Sequence, residues 1–174
     1  MEKFDTLTAR AAPLSTPNID TDQLIPKQFL KIVTRTGLGD KLLFDQRFDE
    51  AGEERPDFVL NRPAYRGAGV IVAGDNFGCG SSREHAVWAL MDYGVRCVVA
   101  TSFSDIFSGN AIKNGLLPAV VSSDDAAALT TAAEESQGVE FSVDLEAQTI
   151  SAPGLKVEFK IDPFAKAKLL AGLD

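Results

Sequence analysis

Residues 69–101, GVIVAGDNFGCGSSREHAVWALMDYGVRCVVAT, read as strand, glycine turn, helix and strand. The β-branched run from Val70 is closed by glycines, Val87, Leu90 and Met91 recur at helical spacing, and VRCVVAT is apolar enough for a buried strand. The order then repeats. SFSDIFSGNAIKNG (102–115) is helical with a glycine end, LLPAVVS (116–122) is a strand, and the alanine-rich DDAAALTTAAEES (124–136) opens with two aspartates that suit a helix N-terminus. Strands alternating with helices imply an α/β fold built on a parallel sheet with helical crossovers. Outward from this core, residues 139–161 alternate polar and apolar with turn residues between and predict a β-hairpin, and residues 162–174 predict a last short helix. On the other side, residues 1–12 read as a weak strand and 13–26 as a turn region. Residues 27–65 read as short helical pieces joined by long loops, of the kind that serve as lids or binding loops. No internal repeat or low-complexity linker interrupts residues 1–174, which are expected to form a single domain.

Composition narrows the function classes. The chain has 45% hydrophobic and 24% charged residues, ordinary for a soluble globular protein. A formal net charge of −8 without a basic cluster argues against nucleic acid as a partner. No apolar run reaches membrane-spanning length and the N-terminus lacks the apolar core of a signal peptide, so no membrane association and a cytoplasmic location are expected. Cys79 and Cys97 without a CxxC, and a single histidine, are too few for a zinc or iron–sulfur site supplied by this chain alone.

The glycine turn carries the candidate chemistry. A strand that feeds a helix through glycines aims backbone N–H groups at a concave spot, and the helix N-terminus adds about half a positive charge. Arg83 supplies a bidentate partner for a carboxylate or phosphate. Known nucleotide loops fit badly, because no lysine precedes the serines and the third glycine of a dinucleotide fingerprint is missing; the hydrolase elbow G-x-S-x-G is absent as well. A plain structural reading also exists: Ser81 and Glu84 match S-x-x-E, a helix capping box. His85 reads as a helix residue bonded to nearby backbone, Cys79 as a small buried hydrophobe, and Val87, Trp88, Leu90 and Met91 as core.

With NIDTDQLIPKQFL (18–30), VTRTGLG (33–39) and SFSDIFSGNAIKNGLLP (102–118) beside it in the same order, the turn resembles the small subunits of isopropylmalate isomerase, relatives of the aconitase swivel domain. The resemblance covers about residues 13 to 120 and continues more loosely through residue 150. It implies a three-layer swivelling β/β/α domain of the aconitase C-terminal type, docked on a large subunit that carries a [4Fe–4S] cluster, with no cofactor bound by this chain. It also implies conversion of 2-isopropylmalate to 3-isopropylmalate through isopropylmaleate in leucine biosynthesis, with the small dicarboxylate bound at the turn. By the same resemblance Ser81 is the base, and Gly80, Ser82 and Arg83 bind substrate. A loop at about residues 28 to 50 is expected to be mobile and to help select the substrate. Arg35, with Gly37 and Gly39 beside it as hinge candidates, is either a carboxylate ligand or a solvent-facing charge. Asp20, Thr21 and Asp22 either shape a turn or touch substrate.

Two other readings stay open at this stage. A homoaconitase-type or citraconate/methylmalate-type small subunit would share the turn and differ near Arg35, and an anion-binding regulatory domain would use Ser81 only as a cap. Family members usually continue beyond the point where this sequence reads AGLD, so a further segment is expected after Asp174.

Overall fold

The computed structural model describes residues 1–173; Asp174, where a continuation is expected, lies outside the described residues. In chain order come strand β1 (Thr6–Leu14), the one-turn helices α1 (Thr21–Leu24) and α2 (Phe44–Arg47), strand β2 (Val70–Ala73), helix α3 (His85–Tyr93), strand β3 (Cys97–Ala100), helix α4 (Asp105–Asn114) and strand β4 (Leu117–Val120). Helix α5 (Ser123–Glu135), strands β5 (Glu140–Asp144), β6 (Thr149–Ala152) and β7 (Leu155–Glu158), and helix α6 (Pro163–Ala171) follow. The short pieces expected in residues 27–65 are α2 and three 3-10 turns. The C-terminal β region differs from the expected hairpin: it is a three-stranded meander, because Pro153-Gly154 makes a second tight turn between β6 and β7.

All seven strands form one mixed sheet in the order β4-β3-β2-β1-β5-β6-β7. Strand β1, weak by sequence, is central and serves two partners. Residues 11–14 run parallel to β2, and residues 6–10 run antiparallel to β5. Pro13 is tolerated in this central strand for a geometric reason. The Ala11 N–H donates to Val139 O on the β5 side, and Pro13, two residues on, faces the same side beyond the end of the β1–β5 pairing at Arg10.

The sheet curls until its two ends meet. Val120 of β4 and Lys160, just past β7, exchange both backbone hydrogen bonds, Val120 N to Lys160 O at 3.2 Å and Lys160 N to Val120 O at 2.8 Å. Strict alternation along the buried strands then splits the apolar side chains into two cores. Val70, Val72, Cys97, Val99, Leu117 and Ala119 meet Phe141, Val143, Ile150 and Val157 inside the curl, with Leu129 of α5 and Leu169 of α6. Ile71, Ala73, Val98 and Ala100 face the other way, onto α3, α4 and the N-terminal connection through Leu24, Ile25, Leu38, Leu42 and Leu43. This outer layer carries the glycine turn at its edge.

Candidate functional site

The turn leaves β2 at Ala73 and is stitched to the segment after β1. Gly78 N–H donates to Ile19 O at 2.8 Å, Thr21 N–H to Cys79 O at 2.9 Å, and the Thr21 hydroxyl to Ser81 O at 3.1 Å. Arg83 Nη1 pairs with Asp22 Oδ1 at 2.7 Å. Asp20 caps α1 in a reciprocal capping box with Gln23. The Asp20-Thr21-Asp22 tripeptide therefore does turn work and also brackets the serines from behind. Gly78 is forced by space as well as by conformation: its φ is +79°, and a Cβ there would lie 2.3 Å from Cγ of Phe107. From α4, Ser104 closes the arrangement by donating to Gly78 O at 2.9 Å while capping its own helix at Phe107 N.

At the crest of the turn Gly80 (φ +95°), Ser81 and Ser82 are exposed. The hydroxyls of both serines and the N–H groups of Gly80, Ser81 and Ser82 have no hydrogen-bond partner among the described residues. Three consecutive backbone donors and two hydroxyls are thus unengaged on exposed residues, with a half-buried guanidinium next in sequence. That is an arrangement suited to a carboxylate.

The capping-box reading of Ser81 is corrected here. Helix α3 starts at His85, its N-cap residue is Glu84, and no side chain caps it. Glu84 instead accepts from Lys113 Nζ at 2.7 Å and from Asn114 Nδ2 at 3.2 Å on α4. The Lys113 bond, aided by Asn114, holds the Glu84 carboxyl below the usual glutamate range against the opposing effect of burial. At the head of the turn, bonds from the Ser102 and Thr101 hydroxyls hold the Asp75 carboxyl low in the same way.

Arg35 is exposed, and its guanidinium carbon lies 5.9 Å from the centre of the Trp88 ring. Its loop is fastened to α3 elsewhere too. His85 Nε2 lies 2.7 Å from Ile32 O, and the Asp92 carboxylate accepts from the N–H groups of Gly37 and Gly39 at 3.0 and 2.8 Å. Gly39, a hinge candidate by sequence, sits where the loop is pressed against α3: a Cβ there would lie 2.6 Å from Tyr93 N. Val87 and Leu90 are core as expected, whereas Trp88 and Met91 are only partly buried. His85 bonds backbone that is distant in sequence. The structure brings Gly80, Ser81, Ser82 and Arg83 together and sets Arg35 against the first turns of the helix that follows them. Sequence reasoning missed Asp92 altogether; its signal was the spacing His85, Trp88, Asp92, which is one stripe of a helix.

Cys97 is wholly buried in β3, where burial pushes its thiol up, and Cys79 is half-buried in the turn. No group of three or more His, Cys, Asp or Glu placed to hold a metal ion occurs among the described residues. The residues present do not fit a cluster. Nor is any helix among the described residues long and apolar enough to cross a membrane.

A curled mixed sheet with helices against both of its faces and a Ser-Ser-Arg turn at its edge, the serines exposed, define a class, the aconitase-type swivel domain. Residues 1–124 match the family model described as Aconitase C-terminal domain, and residues 127–163 match the one described as LeuD_N. The chain is 61% identical over 175 aligned positions to a protein of Phenylobacterium zucineum described as 3-isopropylmalate dehydratase small subunit, covering 100% of this chain and 86% of that one. A protein of Azorhizobium caulinodans with the same description is 58% identical, covering 100% and 87%. Among solved structures, the 3-isopropylmalate dehydratase LeuD of Methanocaldococcus jannaschii superposes with a TM-score of 0.69 at 29% identity, over 95% of this chain and 88% of that one. The chain belongs to the 3-isopropylmalate dehydratase small subunit family.

Proposed function

We propose that this chain is the small subunit of a cytoplasmic isopropylmalate isomerase, a hydro-lyase of leucine biosynthesis that is inactive without a larger partner. The observation that carries the reading is the crest of the turn, where two free hydroxyls and three free N–H groups stand beside Arg83. In this reading Ser81 takes the proton from the carbon adjacent to the one bearing the hydroxyl; the electron pair forms the double bond as the hydroxyl leaves, and addition in the opposite sense completes the isomerisation. The Lewis-acid chemistry that draws the hydroxyl away is supplied by a [4Fe–4S] cluster on the partner.

Serine is a poor base at its ordinary pKa. Its alkoxide becomes accessible where N–H donors and a guanidinium stabilise the charge in a site closed to water. Ser82, Gly80 and Arg83 hold a substrate carboxylate, with Asp22 keeping the Arg83 side chain in place. Of the loop at about residues 28 to 50, Leu38, Leu42, Leu43 and Arg47 are buried and anchor it. The exposed arch around Arg35 is the part that closes over substrate, presenting Arg35 to a second carboxylate.

The test is anaerobic assay with a cluster-loaded large subunit, following the unsaturated intermediate from 2-isopropylmalate. Wild type should turn over, and Ser81→Ala should fall by at least about a thousandfold while the subunits still associate. Activity retained in Ser81→Ala refutes the base; turnover of homocitrate or a methylmalate in preference to 2-isopropylmalate refutes the substrate.

A further inference from the structure

Three side chains on one stripe of α3 hold the substrate loop. His85, Trp88 and Asp92 stand at i, i+3 and i+7, and each takes a different point of the segment from Ile32 to Gly39. The Asp92 attachment is at the C-terminal turn of the helix, where the loop is already pressed against α3. The His85 attachment is at the other end, at the first helical residue after Glu84 and four residues past Ser81. A carbonyl oxygen can only accept, so the His85 Nε2 at 2.7 Å from Ile32 O carries a proton and donates. The His85 ring packs on the Trp88 ring, centroids 4.8 Å apart, and Trp88 in turn carries the Arg35 guanidinium. Trp88 is itself oriented, because its Nε1–H donates to Asn114 Oδ1 at 3.2 Å, and Asn114 is held by Glu84.

We propose that His85 is a positioning residue: with Trp88 it clasps the arch of the loop at Ile32 and so sets where Arg35 meets substrate. The proposal rests on the functional reading above for its kinetic consequence and on geometry alone for the clasp. His85 touches no substrate in this scheme. Its removal lets the arch sample positions in which Arg35 is displaced, so substrate binding weakens while the proton transfer at Ser81 is untouched.

The clasp is tested first on the isolated chain by hydrogen–deuterium exchange. His85→Ala should speed exchange of the hydrogen-bonded Leu30, Ile32 and Gly37 amides by about fivefold, with α3 and the β-sheet unchanged, and His85→Gln, whose amide nitrogen can replace the donor, should restore protection. Trp88 is the only tryptophan, so Arg35→Ala on an exposed residue gives a second readout that does not endanger folding: quenching of Trp88 by acrylamide should increase. In the assembled enzyme, His85→Ala should raise KM for 2-isopropylmalate by about fivefold with kcat within about twofold of wild type, and His85→Gln should recover most of the loss. Unchanged loop exchange overturns the clasp, as does faster exchange throughout the molecule in both His85 variants. Faster loop exchange with unchanged KM overturns the positioning role. If the wild-type assembly is inactive on 2-isopropylmalate, the functional reading has failed, and the exchange experiment still decides the clasp.

Discussion

A Cβ at position 78 would collide with three ring and side-chain atoms of Phe107 at 2.3 to 2.6 Å, in a residue whose φ is already in the left-handed region. Adding left-handed strain to overpacking, Gly78→Ala should lose about 3 kcal/mol of stability in chemical denaturation. Gly80→Ala faces only ordinary contacts at 3.4 Å or more and should lose about 1 kcal/mol. The ordering Gly78 above Gly80 is the check: equal losses would mean that backbone conformation, and not the Phe107 ring, sets the cost. Ser81→Ala is expected to change stability by less than about 0.5 kcal/mol, since the hydroxyl caps no helix and is exposed. At this scale the sequence was informative about residue type and poor about contact. The serine–arginine turn was legible, whereas the S-x-x-E spacing suggested a cap that Lys113 and Asn114 pre-empt by drawing the Glu84 carboxylate onto α4.

Between elements, Glu84 is the polar tie from the start of α3 to the end of α4. Its carboxyl is held below the ordinary range chiefly by the Lys113 bond, so the stabilisation is complete above the unfolded-state pKa and is lost as pH falls through the lower folded-state value. Glu84→Gln should therefore melt below wild type at neutral pH, and the gap in Tm should narrow between about pH 5 and about pH 3. A gap independent of pH would show that the charge at Glu84 contributes nothing. The helices and parallel strands were legible because period and glycine punctuation are local signals. The C-terminal meander was read one strand short although Pro153-Gly154 is a strong local turn signal; which of the short strands on either side pair with each other is settled only by the tertiary ladder.

For the molecule as a whole, the curl of the sheet makes an interior from residues that are far apart in sequence. Cys97 lies there with no exposed surface, while Cys79 is half-buried at the site. In native buffer a thiol reagent should modify Cys79 only, and Cys97 should react at the rate of global unfolding, faster as denaturant is added. Equal native reactivity of the two thiols would contradict a closed inner core. The seam between Val120 and Lys160 ties the β4 edge to the chain just past β7 at one point, and it joins segments 40 residues apart in sequence.

The sequence by itself determined the α/β order, the apolar runs of the parallel strands, and the glycine turn with its two serines and arginine, because each depends on neighbours within a few residues. Only the tertiary structure decided that a weak N-terminal strand is central, that Asp22 holds Arg83, and that His85, Trp88 and Asp92 carry the loop. Those outcomes depend on pairings across 50 residues or more, such as the 53 between His85 and Ile32, and no local period encodes which distant backbone a side chain will meet.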